Sequence, residues 1–166
     1  MGRFSQPSFI ACRAKLWRKR RNHRIPEPVA LHQETLEVRT RAAGLLNVTA
    51  EVSAAVTRSG IKTGLCTVFV QHTSASLIIQ ENADPAVLRD LNAFMAELVP
   101  ESRKWEHDEE GPDDMPAHVR SVLTKTSETI PVTSGRPALG TWQALYLWEH
   151  RAIGHTRRLV VHVAGE

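Results

Sequence analysis

The residues with the most chemistry in them lie between Trp105 and His118, in the run W-E-H-D-E-E-G-P-D-D-M-P-A-H. His107 and His118 stand eleven positions apart, with Asp108, Glu109, Glu110, Asp113 and Asp114 between them. The run has no apolar period, and Gly111-Pro112 breaks it in the middle, so it reads as a loop. Imidazole and carboxylate at this density can bind a metal, hold a cationic substrate, or form a solvated acidic turn. A third histidine, His72, lies in Q-H-T-S-A-S at 71–76. A site of His72, His107 and His118, with Asp108, Asp114 or Glu149 as further ligands or hydrogen-bonded behind the imidazoles, is reasonable chemistry for Zn²⁺ or a similar metal. The spacing matches no short metal motif such as H-E-x-x-H, so all three readings stay open at this level.

The hydroxyls around His72 have two readings. Thr73, Ser74 and Ser76, with nearby backbone N–H groups, can hold a phosphate or orient a histidine. Equally, they can bond the local backbone at a polar edge or bulge. Residue types alone allow Ser-His-Asp hydrolysis, but there is no G-x-S-x-G elbow, no glycine-rich phosphate loop and no dinucleotide fingerprint.

Charge and composition bound the function classes. The 166 residues suffice for one domain with one sizeable core. No apolar run approaches the roughly 20 residues of a membrane span. Cys12 and Cys66 do not suggest a disulfide framework, which points to a reducing, cytoplasmic setting. The net charge of +3 comes from the first 26 residues, which hold eight basic and no acidic residues; the remainder carries 13 basic against 18 acidic, about −5. The folded part is therefore expected to bind neither nucleic acid nor a membrane. The extension over 1–28, with Trp17-Arg18-Lys19-Arg20-Arg21 and Pro26 and Pro28, could serve as a nucleic-acid arm, a membrane-surface anchor or a transit peptide. Disorder is the expectation, because like charges repel and no apolar face offsets their ordering entropy.

These candidate residues need elements to position them. Leu31 to Thr40 alternates around Leu36 and Val38 as a strand. Asn47 can cap a helix over Ala50 to Val56, ended by Ser59-Gly60. Gly64 to Val70 reads as a buried strand, and Leu77-Ile78-Ile79 as a second apolar run. Asp84-Pro85 is a cap and first-turn pair for a helix to about Leu98, whose stripe of Val87, Leu91, Phe94, Met95 and Leu98 is expected to face the core. A short helix should carry His118 near its start. Strands follow at Ser127–Val132, Ala138–Glu149 and Arg157–Val163, with Trp142 expected in the core. Gln143, Leu145, Leu147 and Glu149 then share one face, apolar in the middle and polar at both ends. Five or six strands, two or three helices and C-terminal hairpins make an α+β domain with a largely antiparallel sheet.

Five blocks occur in one order: Q-H-T-S-A-S at 71–76, E-N-A-D-P at 81–85, H-D-E-E-G-P-D-D-M-P-A-H at 107–118, L-G-T-W-Q at 139–143, and E-H-R with G-H-T-R-R over 149–158. Over roughly residues 30 to 166 the chain resembles the YjbQ-like family, also called the secondary thiamine-phosphate synthase family. Gly154-His155-Thr156-Arg157 departs from the family's more usual Gly-Gly-Ser-Arg, and residues 1–28 lie outside the pattern. The resemblance implies a sandwich-like antiparallel core, a homotrimer, and a polar site with a divalent metal, Zn or Mg. It also implies a weak transferase activity on small phosphorylated metabolites, joining hydroxymethylpyrimidine diphosphate to a thiazole phosphate with release of pyrophosphate. A non-catalytic trimer that binds a metal or metabolite is the other reading. On this resemblance His72, His107 and His118 become metal ligands or anion contacts. Ser74, Ser76, Asn82, Asp84, Gln143 and Arg158 become substrate-binding residues. Glu149 would orient a histidine or accept a substrate amine, and Arg157 would neutralise diphosphate.

Overall fold

The computed structural model describes residues 29–166; the basic extension over 1–28 lies outside the described residues. Among the described residues there are eight strands and three helices. A five-stranded sheet has the order β1-β8-β3-β5-β6, formed by β1 (Ala30–Arg39), β8 (Thr156–Gly165), β3 (Thr63–Val70), β5 (Ser127–Thr133) and β6 (Arg136–Pro137). A three-stranded sheet has the order β2-β7-β4, from β2 (Gly44–Asn47), β7 (Gln143–Glu149) and β4 (Ala75–Glu81). Every pairing is antiparallel. The domain is thus α+β, as the hairpins implied.

The main core lies between the sheets, closed at one side by helix α1 (Thr49–Ser59) through Val52, Ala55 and Val56. Strand alternation explains the five-stranded sheet: Cys66, Val68 and Val70 on β3 and Leu159, Val161 and Val163 on β8 point inward, with polar or half-exposed residues between. β7 reads differently, because it is the middle strand of a sheet covered on both faces. Leu145 and Leu147 join the main core, while Trp148 packs with Met95 and Val99 on the opposite side. Burial on both faces accounts for its unbroken run from Ala144 to Trp148.

Helix α2 (Pro85–Leu98) begins as its sequence requires: Asp84 Oδ1 accepts the Ala86 N–H at 2.8 Å, with Pro85 in the first turn. Helix α3 (Asp114–Leu123) follows the acidic loop. Gly60 ends α1 in the left-handed region, at φ 72°.

Several expectations need correction. The strand expected over Ala138–Glu149 begins only at Gln143, because residues 138–140 are irregular and 141–142 turn, with Gln143 N–H donating to Gly140 C=O at 3.0 Å. Trp142 therefore falls before the strand and is 67% exposed. The α2 stripe is core only in part: Met95 is buried and Leu91 packs beside it, but Phe94 and Leu98 face solvent, since α2 rests on one sheet face alone. β2 and β6 are too short to show an alternating period. The cap of α1 is Val48 rather than the expected Asn47, and it makes no side-chain bond; Asn47 ends β2, and its Oδ1 accepts the Thr49 N–H at 3.0 Å.

Candidate metal centre

The start of α3 builds the site. Asp114 and His118 are four apart on that helix and so share one face. The loop before α3 brings back His107. One ligand atom from each of His107, Asp114 and His118 lies within 4.8 Å of the others. Asp114 Oδ2 is 2.8 Å from His107 Nε2 and 3.3 Å from His118 Nε2. The other nitrogen of His118, Nδ1, donates to the Thr73 carbonyl oxygen at 3.1 Å. In the neutral ring that bond fixes the tautomer, with a lone pair on Nε2 aimed at a carboxylate oxygen. Two lone pairs facing each other at this distance are stabilised by a cation between them, either a proton or a metal.

Asp114 is a pre-positioned group, only 2% exposed. Its Oδ1 accepts from Arg151 Nη1, so one oxygen is fixed and the other faces the imidazoles. Arg151 is held in turn. Its Nε donates to Asp113 Oδ2 at 3.0 Å, its Nη2 to the Glu110 carbonyl at 2.9 Å, and its backbone N–H to Glu149 Oε1 at 3.0 Å. Asp113 also accepts the Ala152 N–H at 2.8 Å. Burial works against its charge, but the Ala152 and Arg151 donors outweigh it and hold the carboxyl below its ordinary range.

Behind this lies a second ionic system. Glu149 and Arg157 are 1% and 3% exposed and face one another. Arg157 donates through Nε to Glu149 Oε2 at 2.7 Å and through Nη2 to Oε1. Thr40 Oγ1 adds a donor to Oε2 at 2.7 Å. Burial raises the Glu149 pKa, and these donors overcome it, so the carboxyl sits below its usual value. Next in sequence, His150 is 2.8 Å from Ser76 Oγ through Nε2. Burial, with the Arg120 charge adding to it, pushes its pKa down to about 4, so the ring is neutral.

The expected site residues distribute as follows. His107 and His118 come together with Asp114. His72 stands apart from that group, its Nε2 accepting the Arg158 N–H at 3.1 Å. A groove of about 450 Å³ nevertheless has both His72 and His118 in its walls, with Thr73 and Ser121. Ser76 bonds His150, and the Ser74 carbonyl accepts from Arg157. Asp84 caps α2. Asn82 Nδ2 donates to the Gln143 carbonyl at 3.3 Å, and Gln143 Oε1 accepts the Gly140 N–H at 2.8 Å. Glu149 and Arg157 hold each other, and Arg158 is exposed, with Nε 3.5 Å from Glu37 Oε1. Of the five acids between His107 and His118, Asp108, Glu109 and Glu110 have exposed side chains.

Sequence reasoning missed Asp113, Arg151, His150, Thr40 and the Thr73 carbonyl. The helical spacing of D-M-P-A-H at 114–118 points to Asp114 and His118, which were already candidates, and to none of these five. The Arg151 link spans 37 positions and has no local signature.

The chain and its fold have relatives. The pattern of the family described as UPF0047 protein YjbQ-like matches residues 34–166. UPF0047 protein sll1880 of Synechocystis is 61% identical over 136 residues, spanning 81% of this chain and 92% of its own length. UPF0047 protein YjbQ of Escherichia coli O157:H7 is 40% identical, spanning 81% of this chain and 99% of its own. A crystal structure of a conserved hypothetical protein from Thermus thermophilus superposes with a TM-score of 0.68 at 38% identity, covering 76% of this chain and 97% of that one. A YbjQ-like protein of unknown function from Sulfolobus solfataricus gives a TM-score of 0.73 at 27% identity, covering 82% and 99%. These matches establish a family, and they carry no reaction with them. The chain belongs to the YjbQ-like UPF0047 family.

Proposed function

We propose that the protein binds one divalent metal ion through His107 Nε2, His118 Nε2 and Asp114 Oδ2, and presents it to a small metabolite. The observation that carries this reading is the pair of acceptors held at 3.3 Å: His118 with Nδ1–H committed to the Thr73 carbonyl, and Asp114 with Oδ1 committed to Arg151. A tetrahedral zinc site with bonds of about 2.0–2.1 Å separates adjacent ligand atoms by roughly 3.3 Å. Two imidazoles and one carboxylate suit Zn²⁺ better than Mg²⁺, which prefers oxygen ligands and retained waters. Three protein ligands leave a fourth position for water or a substrate oxygen, where a bound metal would supply Lewis acidity.

Binding is better supported than transfer chemistry. Glu149 and Arg157, which the resemblance assigned to a histidine or substrate amine and to diphosphate, neutralise each other in the interior. The narrower reading is a thiamine-phosphate synthase type of transferase, releasing pyrophosphate. Support for it is confined to the resemblance and to an open metal position beside a groove. Incubating zinc-loaded protein with both thiamine precursors tests it: product formation that His118→Ala abolishes would support it, and none above background would remove it. Tag-free protein with no stoichiometric zinc would remove the metal reading itself.

The homotrimer implied by the resemblance is also proposed. Leu31, Leu65 and Phe69 are exposed on the outer face of the five-stranded sheet, opposite the buried residues of β3 and β8. Sedimentation of the full chain as a monomer would count against it.

A further inference from the structure

His72 does something other than complete the metal site. Its Nε2 accepts the Arg158 backbone N–H at 3.1 Å. An acceptor nitrogen carries no proton, so in the neutral ring the proton sits on Nδ1. Nδ1 has no partner among the described residues, yet it is not among the side-chain atoms buried without one, so it reaches solvent. His72 is therefore a fixed donor: one nitrogen is anchored to the backbone of β8, and the other presents an N–H outward.

The space around it suits an acceptor with negative charge. His72 walls two openings. One, of about 450 Å³, also has His118 and Thr73 in its walls. The other, of about 400 Å³, is lined with it by Gln71, Thr156, Arg158 and Glu37. The dipeptide His72-Thr73 joins the two sets of groups, because the Thr73 carbonyl is the acceptor that orients His118. Arg158 reaches Glu37 only at 3.5 Å, with both side chains more than 60% exposed. Such an exposed pair is weak and yields easily to a better partner. Burial first, and then the charges of Arg157, Arg158 and His155 against that of Glu149, lower the basicity of His72, in keeping with a neutral ring in a field that favours anions.

We propose that His72 Nδ1–H and the Arg158 guanidinium form an anion subsite, which holds a phosphate or carboxylate of a ligand whose other end reaches the metal centre. The proposal rests on the metal reading for the second half of that sentence only; the subsite itself needs no metal. It gives His72 a positioning and specificity role and assigns the ligand two ends, one anionic and one able to coordinate.

Asparagine and glutamine separate the two ring nitrogens. An Asn side-chain amide falls near Nδ1 and a Gln amide near Nε2. Full-length protein, metal-free and zinc-loaded, is titrated with inorganic phosphate and separately with acetate, following ¹⁵N histidine ring signals and backbone shifts. Wild type should show the Nδ1–H tautomer for His72 and respond to at least one anion in both metal states. His72→Gln should weaken that anion about tenfold, the equivalent of one hydrogen bond. His72→Asn should stay within about threefold of wild type. Arg158→Ala, an exposed substitution that leaves the fold intact, should weaken it about tenfold as well, and none of the three should lower zinc content. A tighter response to phosphate than to acetate makes the ligand phosphorylated, and the reverse makes it a carboxylate. The subsite is overturned if neither anion perturbs His72, if Arg158→Ala binds like wild type, or if His72→Gln costs zinc rather than anion. A wild type that binds anion but no zinc removes the metal reading and leaves the subsite standing.

Discussion

Two arginine–carboxylate systems meet at the end of β7, and they are built from nearly adjacent residues. Glu149 pairs with Arg157, and Arg151 pairs with Asp113 and Asp114. In the first, each charged group answers the other, Thr40 and the Arg151 N–H add donors to Glu149, and the Ser74 carbonyl accepts from Arg157. Both oxygens of Glu149 are thereby taken. In the second, Arg151 holds only one oxygen of Asp114, and the other is turned toward two imidazoles. The histidines repeat the contrast. His150 is enclosed and bonded to Ser76, while His118 is anchored at one nitrogen and free at the other. Residue type does not separate structure from site here; what separates them is whether a polar group retains an unanswered valence at a solvent-facing position.

The comparison can be broken at four points. The largest effect belongs to the closed system. Glu149→Ala leaves the Arg157 guanidinium buried without a counter-charge and is expected to cost about 3–5 kcal/mol, read as a denaturation midpoint shift. A loss below about 1 kcal/mol would mean the pair is hydrated. His150 comes next. Its folded pKa of about 4 lies below its ordinary 6.5, so the unfolded chain takes up a proton that the folded chain refuses. The stabilising contribution of the neutral ring is whole above pH 6.5 and is lost as pH falls toward 4, by about 3 kcal/mol. His150→Gln, which cannot titrate, should show an acid sensitivity smaller by that amount between pH 7 and pH 4; equal slopes would reject the assignment.

The open system should respond in ligand affinity more than in folding. Arg151→Gln frees Asp114 Oδ1 and is expected to weaken zinc about 10–100-fold, the usual cost of losing a group behind a metal ligand. Zinc affinity unchanged by that substitution would detach Arg151 from the site. Smallest is the effect of His118→Ala on stability without metal, about 1 kcal/mol for the lost bond to the Thr73 carbonyl. A cost near that of Glu149→Ala would place His118 among the structural residues.

How much of this could be read in the chain depended on range. Asp84-Pro85 specified the α2 start because capping is a contact between near neighbours. The alternation of Leu159, Val161 and Val163 gave β8 its inward face for the same reason. Gln143, Leu145, Leu147 and Glu149 share a face as the period of two requires, and this is how Glu149 comes to meet Arg157 across the sheets. Trp142 misled because side-chain character does not say where a turn ends. Phe94 and Leu98 misled because a helical stripe shows that a face is apolar, not that this chain covers it. The Arg151–Asp114 contact depends on how loop and sheet are packed, which no local period encodes.

The central claim is that a divalent metal sits between His107, Asp114 and His118, and the most direct measurement is zinc stoichiometry. Full-length protein without a histidine tag, saturated with zinc and freed of excess, should retain one zinc per chain by elemental analysis. His107→Ala and His118→Ala should each lose it, and His72→Gln should keep it. Wild type without zinc, or His118→Ala with a full complement, would contradict the account.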